Sequence, residues 1–198
     1  MILGIAGKMG AGKDTAADTL VNNYGFLKVS MADALRKECA QALAYHECPK
    51  CAPEDIRRII NKGPRVNVYA KPTSPDARRL LQWWGTDFRR KDDPDYWVKR
   101  VEPILNHTLD VVIPDIRFEN EAAMVKRHCG QVWLVTRPQT DTVGAGHVSE
   151  SLCNQYTAWH AIIDNNTDQK ELENKVVRQL LSCYAGVIDD STEDLPRA

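Results

Sequence analysis

The chain has 198 residues, of which 43% are hydrophobic and 27% charged, and its formal net charge is −1. This length suits a single domain with a full hydrophobic core, and the near-neutral charge argues against a non-specific nucleic-acid binder, which normally carries a basic excess. No apolar run approaches the roughly 20 residues of a membrane-spanning helix, and the N-terminus leads directly into a predicted strand rather than a signal or transit peptide, so we expect a cytoplasmic protein.

The first fifteen residues predict a phosphate-binding P-loop, because an apolar strand is followed by a glycine-rich turn, a lysine and a helix. Gly7, Gly10 and Gly12 lack Cβ atoms, so the backbone can curl and direct its N–H groups at phosphate oxygens. A glycine-rich turn that precedes a helix by chance is the weaker interpretation, since the strand, the turn, the lysine and the helix follow one another in the order and spacing of the motif. The predicted ATP-binding residues of the loop are Gly7, Gly10, Ala11, Gly12, Lys13, Asp14 and Thr15.

One position departs from the usual motif. A Ser or Thr should follow Lys13, but Asp14 comes first and Thr15 second. We expect Thr15 to meet Mg²⁺ or an α-phosphate. Asp14 would repel a polyphosphate unless Mg²⁺ or an arginine compensates its charge.

The next elements are a helix over residues 14–24 that Gly25 ends, a strand over 26–30 and a helix from about 30 to 45. Arg36 lies in the first turns of that helix, near the carboxyl end of the second strand, where open α/β sheets bind ligands. It is therefore a candidate contact for an acceptor phosphate, and a solvated helix charge is an equally good reading.

Cys48 and Cys51 form a CxxC pair in the loop that follows. A structural zinc site usually needs two such pairs, so a further ligand would have to come from Cys39 or a distant residue. Reduced thiols are the expectation for a cytosolic chain.

A helix over about 53–62, a proline-containing loop over 64–75 and a helix from Asp76 that Gly85 ends come next, followed by a helix from Pro94 to about Leu105. Arginines and tryptophans are dense here. We expect at least two of the three tryptophans at 83, 84 and 97 to belong to the core. The same mixture of rings and guanidinium groups also suits a planar base with a monophosphate.

The apolar run from 109 to 115 predicts a central parallel strand with Asp115 at its carboxyl end, a position from which an acid can orient Mg²⁺ or its water shell. A helix to about 128, a strand over 131–136, a strand over 161–164 and a terminal helix capped by Asp168 complete the pattern. The alternation predicts an α/β fold of the P-loop NTPase type, a parallel sheet of about five strands flanked by helices. The single domain 1–198 would contain a helical acceptor-binding insert over about 36–108 and a lid loop over about 137–150, in which His147 is a further candidate for phosphate contact.

Several blocks resemble the phage-type deoxynucleoside monophosphate kinases, a P-loop family, over most of the chain. They are Gly7-Lys8-x3-Gly12-Lys13-Asp14-Thr15, Arg78-x2-Leu81-Gln82-x2-Gly85-Thr86-Asp87, Asp95-x-Trp97, Asp115-Ile116-Arg117-Phe118-x-Asn120-Glu121, His147-x-Ser149-Glu150 and Asp164-x-Asn166. The second and fourth blocks are more specific than the P-loop, which many NTPases share. In this family Asp14 is part of the expected motif.

The resemblance implies transfer of the γ-phosphoryl group of ATP to a deoxynucleoside monophosphate (dNMP), with Mg²⁺, in the supply of dNTPs. It implies a homodimer, and the host cytoplasm if a phage encodes the chain; from the charge and the short apolar runs we expect no nucleic-acid or membrane partner. The expected catalytic residues are Lys13, Asp115 and Arg117; Thr15 and Asp115 would hold Mg²⁺, in part through water, and Arg137 would join the ATP site. The expected substrate-binding residues are Lys8, Arg36, Arg78, Arg79, Trp97, Arg117 and Glu121.

Two alternatives stay open. One is another small-molecule P-loop kinase, acting on dephospho-coenzyme A or phosphomevalonate, and the other is a non-catalytic ATP-binding regulatory module. The sequence leaves open which bases are accepted and whether ribose is excluded.

Overall fold

The computed structural model describes residues 1–106, 109–138, 153 and 156–190, with the backbone alone for 186–190. The chain divides into two compact units. Unit 1 comprises Met1–Val29 with His107–Ala198, and unit 2 comprises Ser30–Asn106. Among the described residues, no helix combines the length and the apolar character that crossing a bilayer requires.

Unit 1 is built on a parallel sheet of five strands in the order β2-β3-β1-β4-β5, which confirms the predicted fold class. The strands are β1 (Ile2–Ala6), β2 (Leu27–Lys28), β3 (Val111–Ile116), β4 (Gln131–Thr136) and β5 (Ala161–Asp164). The α-helices among the described residues are α1 (Lys13–Tyr24), α2 (Met31–Tyr45), α3 (Glu54–Asn61), α4 (Pro75–Gln82), α5 (Arg90–Asp92), α6 (Val98–Leu105), α7 (Glu119–Arg127) and α8 (Gln169–Asp190).

The core of unit 1 follows from the alternation of side chains along β1. Leu3 and Ile5 point to one face, where they join the buried apolar side chains of α1 and α8 and the fully buried Trp133 of β4. Gly4 points to the other face, where a Cβ atom would lie 3.1 Å from the side chain of Val125 in α7. The sheet is therefore covered on both faces, as a parallel sheet requires.

Unit 2 contains helices α2 to α6, and it corrects two predicted helix boundaries. Gly85 does not end the helix that begins at Pro75, because the chain continues through a π-helix over Trp83–Arg89 into α5. Gly85 is buried; a Cβ atom there would lie 3.0 Å from Leu35, and its carbonyl accepts the indole N–H of Trp97 at 3.0 Å. The lack of a side chain at Gly85 thus allows Leu35 and Trp97 to pack closely against this helix. The helix predicted from Pro94 begins at Val98.

Candidate nucleotide site

The phosphate loop lies between β1 and α1, and its glycines have backbone angles that favour glycine. The φ angles are 153° at Gly7, 81° at Gly10 and 105° at Gly12. A Cβ atom at Gly7 would lie 2.5 Å from the carbonyl oxygen of Val135, and one at Gly12 would lie 2.7 Å from Nδ2 of Asn165. Both distances are too short for a side chain, so backbone conformation and neighbours together require glycine.

The loop opens onto a cavity of about 380 Å³ within unit 1. Its lining comprises Gly10, Gly12, Lys13, Asp14, Thr15, Arg137, Asn165, Thr167, Asp168, Gln169 and Leu172. The structure thus brings Arg137 to the same cavity as the loop residues predicted from the sequence. Gly7 and Ala11 lie outside the lining, and Ala11 is buried.

Asn165 connects the loop to the end of β5, a role that sequence analysis missed. Its Nδ2 donates to the carbonyl oxygen of Ala11 at 2.8 Å, and its backbone N–H donates to the carbonyl of Thr136 at 2.8 Å. The side chain is buried. The available signal was its position directly after a predicted strand, at the carboxyl edge where ligand sites form.

Lys13 folds back over the loop. Its ammonium donates to the carbonyl oxygens of Gly7 at 2.6 Å and Lys8 at 2.8 Å. Burial, and next the charge of Arg117, lower its pKa; Asp115 is among the groups that oppose this. Lys13 is therefore within electrostatic range of Asp115 and of Arg117, the other two predicted catalytic residues.

Asp115 and Glu121 sit on either side of Arg117 in the chain. Asp115 lies at the carboxyl end of β3, as predicted, one residue before the strand ends. Glu121 is buried, and its Oε2 accepts the backbone N–H groups of Arg117 at 2.7 Å and of Phe118 at 3.2 Å, which caps α7. Glu121 therefore fixes the backbone that carries Arg117, and its contact with an acceptor stays a prediction.

Asp14 is exposed and has a cationic neighbour that sequence analysis did not identify. Nζ of Lys28 in β2 lies 3.8 Å from Oδ1 of Asp14 and 2.8 Å from Oδ1 of Asp18. Lys28 therefore offsets part of the negative charge beside the loop, a role for which the sequence analysis named Mg²⁺ or an arginine.

The arginines predicted to bind the acceptor have different surroundings in unit 2. Arg79 contacts two carboxylates, Asp55 at 2.7 Å and Asp87 at 3.9 Å, whereas Arg36 contacts Asp33 at 3.4 Å. Arg78 is exposed, and within the described part of the chain its side chain makes no hydrogen bond or ion pair. Of the two adjacent arginines on α4, Arg78 has its donors available.

The tryptophans of unit 2 are buried, which confirms that at least two of them belong to the core. Trp83, Trp84 and Trp97 are 6%, 5% and 3% exposed. Trp97 occupies a core position, because its indole N–H donates a hydrogen bond to the carbonyl of Gly85 and its side chain is almost fully buried. Stacking of its ring on an acceptor base stays a prediction.

The zinc hypothesis for Cys48 and Cys51 gains no support. Within the described ranges, no group of three or more His, Cys, Asp or Glu side chains could hold a metal ion. Burial, with the nearby charge of Glu38, raises the pKa of the Cys39 thiol and so disfavours the thiolate that a metal would need. Most of the predicted lid loop, including His147, and the block Ser149-Glu150 lie outside the described residues.

No family model matches the chain. It is 24% identical over 201 residues to a protein of Acanthamoeba polyphaga mimivirus that is provisionally named a deoxynucleotide monophosphate kinase, with 89% of this chain and 94% of the relative aligned. It is 27% identical over 172 residues to the uncharacterized protein ORF77 of Ictalurid herpesvirus 1 (strain Auburn), covering 83% of this chain and 64% of that protein.

Two solved structures decide the fold. The dephospho-CoA kinase from Campylobacter jejuni matches with a TM-score of 0.52 and 13% identity, covering 93% of this chain and 98% of the other. The shikimate kinase from Aquifex aeolicus vf5 matches with a TM-score of 0.50 and 11% identity, covering 94% and 99%. The chain has the fold of the P-loop kinases. At these identities the likeness establishes the fold and leaves the substrate to the site.

Proposed function

We propose that the chain is a deoxynucleoside monophosphate kinase, which transfers the γ-phosphoryl group of ATP to a dNMP and yields ADP and a dNDP. The observation that carries the proposal is the cavity lined by the phosphate loop, with Lys13 in electrostatic range of Asp115 and Arg117. The name of the mimivirus relative supports a dNMP as the acceptor.

Donor binding would use the loop and the start of α1. Lys13 holds two backbone carbonyls, and a bound triphosphate would supply stronger, anionic acceptors for the same ammonium. The backbone N–H groups at the start of α1 add donors and a positive dipole end. Arg137 and Leu172, which also line the cavity, provide a planar cation and an apolar surface for the nucleoside.

The residues present fit Mg²⁺, which prefers oxygen ligands and keeps several waters. Thr15 lines the cavity, and the charge of Asp115 acts on Lys13, so these two side chains would supply a hydroxyl and a carboxylate oxygen to the ion, directly or through water. When bound, Mg²⁺ neutralises charge on the β- and γ-phosphates.

The chain's own residues then have to position the phosphates and neutralise charge. The acceptor is a phosphate oxyanion, so its attack needs no strong general base and no covalent enzyme intermediate. Lys13 and Arg117 would compensate the charge that builds between donor and acceptor, while Glu121 keeps the Arg117 backbone in place. Loss of one such cation is expected to raise the barrier by about 3–4 kcal/mol.

For the acceptor we propose the contacts that the family resemblance implies, which are Lys8, Arg36, Arg78, Arg79, Trp97, Arg117 and Glu121. The two adjacent arginines of α4 differ in how many of their donors are free to bind an acceptor phosphate. Arg78 keeps its donors available, whereas Arg79 already contacts two carboxylates, so we place Arg78 ahead of Arg79.

A coupled assay of ADP release with ATP and Mg²⁺ tests the proposal. The acceptors are dAMP, dGMP, dCMP, dTMP, the matching ribonucleotides, dephospho-coenzyme A and phosphomevalonate. We expect turnover that depends on at least one dNMP. Turnover with dephospho-coenzyme A or phosphomevalonate alone would replace the proposal with that kinase, and ATP binding without turnover on any acceptor would favour the regulatory module.

A further inference from the structure

A single carboxylate organises one side of unit 2. Glu38 of α2 accepts four hydrogen bonds: Oε2 from the indole N–H of Trp84 at 3.1 Å and Nε of Arg89 at 2.9 Å, and Oε1 from the Tyr96 hydroxyl at 2.7 Å and Nε of Arg100 at 2.9 Å. Its side chain is only 15% exposed. These five residues form what we name the Glu38 cluster.

The two arginines of the Glu38 cluster are used differently. Arg100 donates from Nε to Glu38 and from Nη2 to the Tyr96 hydroxyl, and its guanidinium lies 4.0 Å from the Tyr96 ring centroid. Arg89 donates from Nε alone. Within the described part of the chain, its two Nη groups donate no hydrogen bond.

Arg89 is nevertheless held in place. Its guanidinium carbon lies 4.7 Å from the ring centroid of Phe88, 4.8 Å from that of Tyr96 and 5.7 Å from that of Trp84. The side chain is 32% exposed. The rings and Glu38 restrict its rotamers before any ligand arrives, and this lowers the entropy lost on binding.

The charge of the Glu38 cluster is also favourable for an anion. Two guanidinium groups face one carboxylate, which leaves one positive charge in excess. Burial alone would raise the pKa of Glu38, but hydrogen bonds from Tyr96, Trp84 and Arg100 outweigh it and keep the pKa below its usual range. Burial and the bond to Glu38 raise the pKa of Tyr96, so its hydroxyl remains a neutral donor.

We propose that Arg89 is an anion-binding residue that takes the phosphate group of a mononucleotide through its Nη groups, and that Glu38 is the positioning residue that holds it. The choice of a mononucleotide rests on the proposed function. The anion site itself rests on the contacts of Arg89. The pairing of a fixed guanidinium with a phosphate monoester follows from the fork of N–H donors that arginine presents.

Isothermal titration calorimetry on the full chain tests the site with dAMP, dGMP, dCMP, dTMP and inorganic phosphate as probes. Arg89→Lys keeps the charge and removes the fork, and Arg89→Gln is a second variant with a planar, neutral group. We expect each to weaken the mononucleotide that binds wild type best by about 10- to 100-fold, the range for hydrogen bonds to charged groups. The affinity for ATP should not change, because the phosphate loop belongs to unit 1.

Arg100→Lys is the matched control, because it also removes an arginine from Glu38 and so loosens the Glu38 cluster to a similar extent. It should lower the thermal unfolding midpoint without weakening mononucleotide binding. If Arg100→Lys and Arg89→Lys weaken binding equally, the effect is general loosening and the proposal is wrong.

A double-mutant cycle tests the positioning role of Glu38. Glu38→Gln alone should weaken mononucleotide binding about tenfold, and in the Arg89→Lys background it should weaken it no further, because it acts through Arg89. Additive losses would overturn the positioning role. Unchanged affinity in both Arg89 variants, or no binding of any probe by wild type, would overturn the site. Arginine-dependent binding without dNMP turnover in the coupled assay would contradict the proposed function and leave this inference standing.

Discussion

The phosphate loop of unit 1 and the Glu38 cluster of unit 2 are polar sites built by opposite means. The loop is made by consecutive residues whose backbone angles and N–H groups define its shape. The Glu38 cluster is made by side chains that are 46 to 62 residues from Glu38 in the chain. A site made by the backbone is encoded locally and tolerates little change in shape, whereas a site made by side chains depends on the packing of several helices.

The largest effect is expected from adding a methyl group to the loop. Gly7→Ala should lower the free energy of unfolding by about 3–5 kcal/mol, because the Cβ atom would meet the Val135 carbonyl in addition to the cost of the φ angle. Gly25→Ala is the matched control, since Gly25 has a φ of +72° and open space around its Cβ position. It should cost about 1–2 kcal/mol. Denaturant unfolding measures both, and equal losses would show that the Val135 contact does not demand glycine.

Lys13→Ala should lower kcat of the proposed reaction by about 10²- to 10³-fold, as the loss of a charge-stabilising donor does. The unfolding midpoint should change little in comparison. Arg178→Ala in α8 removes an exposed cation paired with Glu171 and serves as the control, with kcat expected near wild type. A near-normal kcat in Lys13→Ala would remove the loop lysine from the chemistry.

Acidification should reduce the contribution of the Glu38 cluster to the free energy of unfolding. Because the folded-state pKa of Glu38 is lowered, its stabilising contribution is complete above the ordinary glutamate pKa of about 4.3 and is lost as the pH falls through the lower, folded-state value. Glu38→Gln should lose about 1–3 kcal/mol at neutral pH, since four donors lose a charged acceptor. Its unfolding free energy should then fall less than that of wild type on acidification. Parallel pH profiles would rule out the lowered pKa as the cause.

The smallest effect is expected at Arg79, whose two ion pairs are exposed. Arg79→Ala should lower the free energy of unfolding by at most about 1 kcal/mol, and high salt should reduce the difference. Arg58→Ala, which breaks an exposed pair with Glu54 on one helix, provides the scale of a single such pair. An acceptor KM raised tenfold in Arg79→Ala without a stability change would instead place Arg79 in direct contact with substrate.

The sequence predicted what is encoded by neighbours in the chain. The bounds of β4 and β5, the glycine cap of α1 and the glycines of the loop were all readable, because hydrophobic runs and glycine positions act over a few residues. The five-stranded parallel sheet followed from the alternation of strands and helices.

What the sequence did not predict depends on contacts between distant segments. Gly85 has the appearance of a helix stop, and only the side chains of Leu35 and Trp97 explain why it lies inside a π-helix. Asn165 binds the carbonyl of Ala11 across 154 residues, and Glu38 gathers donors from the π-helix and the segment around α6. No local sequence pattern predicts such pairings, because their stability comes from tertiary packing rather than from secondary-structure propensity.

The central claim is phosphoryl transfer to a mononucleotide, and following the label of [γ-³²P]ATP tests it most directly. With Mg²⁺ and the dNMP that gives the highest turnover, we expect the label to appear in the dNDP in a one-to-one ratio with ADP, and Lys13→Ala to slow its transfer by about 10²- to 10³-fold. Label recovered only as inorganic phosphate, at a rate that no dNMP changes, would contradict the account.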